Sequence, residues 1–264
     1  YGWVLDSGPN SGGAWFLEQW SARAGELYAD NENGRSAPAT EVRFDGPTGV
    51  ELLTFVQEMI DDELAVSIGD NSGGQDTYLK LIDPQADGAM TIGTSAALGG
   101  VIAALGSGLA PGLTTDDVAV GPMPGPSPDP SANLGGASLA IVDGKGDEKT
   151  AAAWDYITYL VTAEAQSQWA SQTGYVPVRT DAPDLEPLRS TYADDPRFRV
   201  AYDQMVGGID GQASLAPVLG PQREVRVATA NATAAIIAGA DVEATLADAA
   251  AQANALIASY NQRN

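Results

Sequence analysis

One stretch, residues 134–179, LGGASLAIVDGKGDEKTAAAWDYITYLVTAEAQSQWASQTGYVPVR, limits what this chain can fold into more than any other. Leu134, Leu139, Ile141 and Val142 suit a buried strand. Gly135 and Gly136, at its start, let the backbone come close to another segment or to a ligand. Asp143-Gly144-Lys145-Gly146 reads as a turn. Beyond it Trp154, Ile157, Leu160 and Val161 recur at helical spacing, and Thr162 stands where it caps a second helix with Ala165 and Trp169 on one side. Gly174-Tyr175-Val176-Pro177-Val178 closes the unit. The order is strand, helix, helix, turn. Taken alone, such a unit is more often plain core than a binding site.

The same alternation runs through the rest of the chain. Trp3-Val4-Leu5 is a short strand candidate, followed by a Gly-rich turn over 7–13 and a helix that opens with Trp15, Phe16 and Leu17 and ends at Ala24-Gly25. Phe44-Asp45-Gly46-Pro47 starts another helix with Pro in its first turn, and Val50, Leu53, Val56 and Ile60 form its apolar stripe. Further strands are expected at 89–92, 118–120 and 138–142, the first of them leading into a turn at Thr94-Ser95-Ala96. Residues 225–260 read as two Ala-rich helices broken at Gly239-Ala240-Asp241, with Asp241 capping the second. The expectation is an α/β protein with a small sheet. Residues 121–133 hold five prolines, at 122, 124, 126, 128 and 130, and read either as a linker between domains or as a Pro-rich loop.

Composition removes several classes of function. With 35 acidic residues against 13 basic ones, a formal charge of -22 and 44% hydrophobic residues, the chain is too acidic to bind nucleic acid and too apolar to be disordered. It has no Cys, so thiol and disulfide chemistry is excluded, and no His, so a His-based triad and the common zinc sites are excluded too. No apolar run approaches the roughly 20 residues that cross a membrane as a helix. Asp61-Asp62-Glu63, Asp116-Asp117 and Asp194-Asp195 are carboxylate pairs of the kind glycoside hydrolases use, yet adjacent acids are expected in so acidic a chain. Asp30-Asn31-Glu32-Asn33-Gly34 has its Gly one place too early for a calcium loop, and Lys145 lacks the Ser or Thr of a phosphate-binding loop. Asn231-Ala232-Thr233, formally a glycosylation acceptor, falls in an expected helix.

The order of these motifs, over essentially all 264 residues, resembles the extracellular solute-binding proteins of ABC importers, specifically the large family that takes up sugars and glycerol 3-phosphate. The resemblance implies a periplasmic-binding-protein-like type II fold, α/β, in which two lobes close on a ligand. It implies no enzyme activity and no cofactor; a fragment of a secreted carbohydrate-active enzyme is the alternative, and a structural surface domain a third reading. The chain enters on what resembles the first strand of the second lobe, so residues 1–130 and 186–264 are expected in that lobe. Residues 131–185 are expected to cross over and pack on a first lobe that this sequence lacks. A signal peptide, and any lipid-modified Cys, are expected on that other portion. The partners implied are a sugar, polyol or glycerophosphodiester and the ABC permease subunits, with the membrane reached only through the lipid anchor and the protein itself extracellular or periplasmic.

Site residues follow by the same resemblance. Trp15 occupies the place of an aromatic that stacks on a sugar ring, and an indole gives wide contact at small entropic loss. Thr94 and Ser95 stand in the turn where relatives present hydroxyls, Gly136 where backbone faces the cleft, and Tyr175 where a phenol points at the ligand. Arg226, in Glu-Val-Arg-Val, matches an arginine that the glycerol 3-phosphate branch sets on phosphate. Ser11 and Ala14 stand where that branch has tryptophans, which argues against free glycerol 3-phosphate; Ser11 is counted as a ligand residue.

Overall fold

The computed structural model describes residues 1–9, 11–70, 76–83, 88–127, 131–208 and 211–264. Asn10, Pro128 and Pro130 therefore lie outside the described residues. Strand β1, Trp3–Leu5, leads into α1, Gly12–Ala24, and α2, Pro47–Asp61, precedes β2, Ala65–Ser67. α3, Asp76–Ile82, and α4, Leu98–Gly106, follow; α5, Asp147–Leu160, and α6, Ala163–Thr173, form the central helix pair. The chain continues through α7, Leu188–Asp194, α8, Val200–Val206, α9, Gln222–Ile237, and α10, Val242–Asn261.

β1 and β2 pair in parallel, Trp3 opposite Ala65 and Leu5 opposite Ser67, and a single parallel bridge joins Trp3 to Met90. The sheet is covered by α1, α2, α9 and α10, whose apolar faces meet in the main core around Leu17, Phe44, Leu53, Ile236 and Leu246. α2 starts with Pro at its first position and buries Leu53 and Val56, with Val50 and Ile60 packed at the margin of the same core. α1 stops at Gly25, which adopts φ 74° and so takes the left-handed position that closes a helix. Asp241 accepts a hydrogen bond from the Ala244 N–H at 2.8 Å and opens α10 as expected. Thr162 likewise accepts from the Ala165 N–H and opens α6.

Several expectations are corrected. Residues 138–142 form no strand: Leu139 and Val142 are exposed and no strand lies beside them among the described residues, so their backbone has nothing to pair with. Residues 118–120 also stay outside the sheet, because the Val118 carbonyl accepts from Arg197 Nη1 at 2.9 Å in place of a neighbouring strand. Of 89–92 only Met90 bridges. β2 was not anticipated; Ala65-Val66-Ser67 is short and weakly patterned, and pairing with β1 sets it. α5 forms, yet no residue of it is buried and Trp154 is 59% exposed. Trp169 is exposed too, while Ala165 and Ala170 on the same helix are buried beside α7.

The Pro-rich segment is tied down at both ends. Gln204 exchanges two hydrogen bonds with the backbone of Met123, Gln19 exchanges two with the backbone of Asn133, and Arg23 donates to the carbonyls of Ser127 and Ser131. Residues 30–34, set aside above as a calcium loop, make a left-handed turn in which Asn31, Glu32 and Asn33 all have positive φ. Asn33 compensates for that strain: its amide donates to the Gln212 and Leu215 carbonyls and its oxygen accepts from the Ala29 N–H.

Two carboxylates make the fold sensitive to acid. Hydrogen bonding from Arg197 holds Asp195 below the usual carboxylate range. At Asp30 burial acts upward, but hydrogen bonds from Thr40 and Glu41 outweigh it and the net shift is down. Folded pKa values below the unfolded value of about 3.9 mean that this stability is present above that pH and lost as pH falls through the folded values. Thermal melts are expected to fall below about pH 4, and less steeply in Asp195→Asn; identical pH profiles for the two proteins would show that Asp195 is not responsible.

Candidate functional site

The carboxyl ends of the parallel strands emerge at one edge, the place where open α/β sheets hold ligands. Residues 6–9, 68–70 and 91–95 leave the sheet there. Their backbones are tied together: Ile68 N–H donates to the Leu5 carbonyl and Ser7 N–H to Gly69, both at 2.9 Å, while the Thr91 hydroxyl donates to Val4 at 2.9 Å. Buried Asp6 accepts from the Gly12 N–H and satisfies one of the free donors at the start of α1. Ser11 is the N-cap residue of α1 and its hydroxyl reaches the Gly8 carbonyl at 3.5 Å. Gly13 is required by space: a Cβ there would overlap the Ser7 carbonyl.

Thr94 caps a single 3-10 turn, Ser95–Ala97, its hydroxyl accepting from the Ala96 N–H. Tyr78, on α3, supports this turn from behind, for a Cβ on Gly93 would overlap its hydroxyl. Burial raises the Tyr78 phenol, and the negative Asp6 adds to that, against a hydrogen bond with the Thr94 backbone. The turn holding Tyr175 fits against the same place: a Cβ on Gly174 would lie 3.1 Å from the Ser95 carbonyl oxygen and 3.4 Å from Ala96 Cα. Tyr175 itself is exposed.

Trp15 sits one helical turn beyond Ser11, half-buried, with its ring edge-on to Phe16 at 4.7 Å between centroids. Glu18 follows at the next turn of the same face, since positions 11, 15 and 18 are spaced four and three apart. Across from it on α9 stands Arg226, whose Nε and Nη2 donate to Glu18 Oε1 and Oε2 at 2.8 and 2.7 Å. Tyr28 is buried nearby; desolvation first, and then the charge of Glu18, push its phenol well above its ordinary value.

The structure thus gathers Thr94, Ser95 and Tyr175 at the sheet edge, buries Ser11 at the start of α1, and sets Trp15 on α1 with Arg226 across from that helix on α9. Gly136 does not join them: it is exposed, and a Cβ there meets open space. Asp6, Glu18 and Tyr78 were not singled out by sequence, although Asp6 directly follows a strand and Glu18 lies three residues beyond Trp15. Tyr78 carries no comparable signal. The gathered residues form an open wall. Two surface depressions, one of about 460 Å³ bordered by Asp76, Lys80 and Leu109 and one of about 360 Å³ at residues 178–181, contain none of them. One carboxylate in each of two of the pairs is otherwise engaged, Asp117 by the backbone and hydroxyl of Thr114 and Asp195 by Arg197. Among the described residues no group of three acidic side chains is arranged to hold a metal.

The family model for bacterial extracellular solute-binding proteins matches residues 1–200, and the chain belongs to that family. The chain is 26% identical over 196 residues to the sn-glycerol-3-phosphate-binding periplasmic protein UgpB of Yersinia pestis, a match covering 72% of this chain and 41% of that protein. It therefore spans about two fifths of the length of the curated relatives it matches. Among solved structures it is similar to UgpB of Mycobacterium tuberculosis in complex with glycerophosphocholine, with a TM-score of 0.72, 21% identity and coverage of 97% of this chain and 58% of that one. It is also similar to the sugar-binding protein MalE of Xanthomonas citri, at a TM-score of 0.74, 15% identity and coverage of 99% and 59%. These likenesses establish the periplasmic-binding-protein fold anticipated from the motif order.

Proposed function

We propose that this chain is the ligand-contacting part of the solute-binding subunit of an ABC importer, and that the importer takes up a sugar, polyol or glycerophosphodiester. The observation that carries the reading is the convergence of Thr94, Ser95 and Tyr175 on the carboxyl edge of a parallel sheet, with half-buried Trp15 on the adjoining helix. Residues 1–130 and 186–264 make one lobe of the subunit, and 131–185 extend to the other. Exposure of Leu134, Leu139, Trp154 and Tyr159, together with an α5 that buries nothing, supports that division. Ligand contacts made only when the lobes close would drive closure, and the closed form would be presented to the permease from the periplasmic or outer side of the membrane. A lipid anchor outside this sequence is part of the same proposal.

The test is calorimetric titration of the whole native protein with mono- and disaccharides, polyols and glycerophosphocholine. Trp15→Ala is expected to weaken the best ligand by about 1 to 2 kcal/mol. Tyr175→Phe is expected to weaken it by about 1 kcal/mol through one lost hydrogen bond. Because Trp15 also touches the core, the apo melting temperature is read alongside. A variant that melts far lower yet binds normally would show Trp15 to be a core residue only.

A further inference from the structure

Part of the Arg226 guanidinium is already occupied within the protein. Its Nε and Nη2, the edge that grips phosphate at two points, are both directed at the two oxygens of Glu18. Gln222 adds a hydrogen bond to Glu18 Oε1 at 2.8 Å and helps hold the carboxylate in place. The Glu18 side chain is 4% exposed against 39% for Arg226, so the carboxylate is fixed inside while part of the guanidinium still meets solvent. Nη1 makes no hydrogen bond to a described residue. The pair as a whole carries no net charge, and an anion approaching Nη1 meets the carboxylate a few ångströms behind it, in surroundings that screen poorly.

We propose that Glu18 selects the charge of the ligand: by engaging the Nε–H and one Nη2–H of Arg226 and cancelling its charge, it leaves a neutral pair with its remaining N–H groups on the outer edge of the guanidinium. That neutral pair suits a hydroxyl, or a singly charged phosphodiester, and disfavours the doubly charged group of a phosphate monoester. The proposal rests on the reading of Arg226 as a ligand contact in an importer subunit. Glu18 is here a positioning residue, acting through Arg226. Two other features bear on it in the same direction: the formal charge of the chain is -22, and buried Asp6 adds another negative group at the sheet edge.

The experiment titrates inorganic phosphate into the whole native protein, its Glu18→Gln variant and the Glu18→Gln/Arg226→Ala double variant, following the Arg226 Nε–H resonance where the arginine is present and heat throughout. A parallel panel compares glycerol 3-phosphate with glycerophosphocholine and a neutral polyol. Glu18→Gln is expected to tighten phosphate by at least about tenfold and to raise the ratio of glycerol 3-phosphate to polyol affinity by a similar factor, with both gains lost in the double variant. A folded Glu18→Gln protein with an unchanged ratio would overturn the proposal. So would a wild-type protein that prefers glycerol 3-phosphate to both other ligands, which needs no variant to fold. If no member of the panel binds, the importer reading fails, and the phosphate titration still decides whether Glu18 restrains Arg226.

Discussion

Expressed as these 264 residues alone, the chain is expected to bind sugars and glycerophosphodiesters at least about 100-fold more weakly than the whole native protein, a loss of about 2.8 kcal/mol. The wall formed by Thr94, Ser95 and Tyr175 is open, and a small ligand binds tightly only when most of its surface is enclosed. Closure is the second reason. Moving a two-state equilibrium from 1:99 to 99:1 takes about 5.5 kcal/mol of contacts made in one state only, and under the proposed division into lobes this chain alone does not make them. Its exposed face, carrying Leu139, Trp154, Tyr156, Tyr159 and Trp169, is expected to drive self-association. Calorimetry on both proteins, with light scattering to give their masses, is the measurement. A monodisperse monomer of the 264 residues that binds as tightly as the native protein would mean that the site is complete on one lobe.

Local signals made the helices legible. A helix needs only its own neighbours, so Pro47 in a first turn, Gly25 at a helix end and the capping side chains of Thr162 and Asp241 each set a boundary that sequence discloses. Strands need a partner, and partners are not written locally. Residues 138–142 have the composition of a buried strand but no strand beside them among the described residues, whereas the unremarkable Ala65–Ser67 becomes a strand because β1 lies next to it. The site divides along the same line. Ser11, Thr94 and Ser95 were selected as candidates by their place in the order of motifs, and the adjacency of the Tyr175 turn to Ser95 appears only in three dimensions. Glu18 was missed because an acidic residue on a helix of so acidic a chain reads as solvated surface. Its burial depends on a residue 208 positions away.

That long-range pair also governs how a substitution at Arg226 must be read. Arg226→Ala is expected to destabilise the protein by about 3 kcal/mol, at the low end for a broken buried ion pair because the arginine keeps some contact with water. The loss falls on Glu18, whose carboxylate would remain buried with only Gln222 to donate to it. Removing that charge as well should recover part of the stability, since a Gln at 18 needs no counter-ion. The Glu18→Gln/Arg226→Ala protein is therefore expected to be more stable than Arg226→Ala alone, with a coupling of about 1 to 2 kcal/mol between the two sites. Denaturant unfolding of the four proteins measures it. A chain in which Arg226→Ala unfolds at the same denaturant concentration as wild type would show that the pair does not hold α1 against α9, and the arginine would then be retained for the ligand alone. If the coupling is found, loss of binding in Arg226→Ala counts as a lost ligand contact only where Glu18 has been neutralised too, because a stranded carboxylate beside Trp15 disturbs the wall on which the ligand rests.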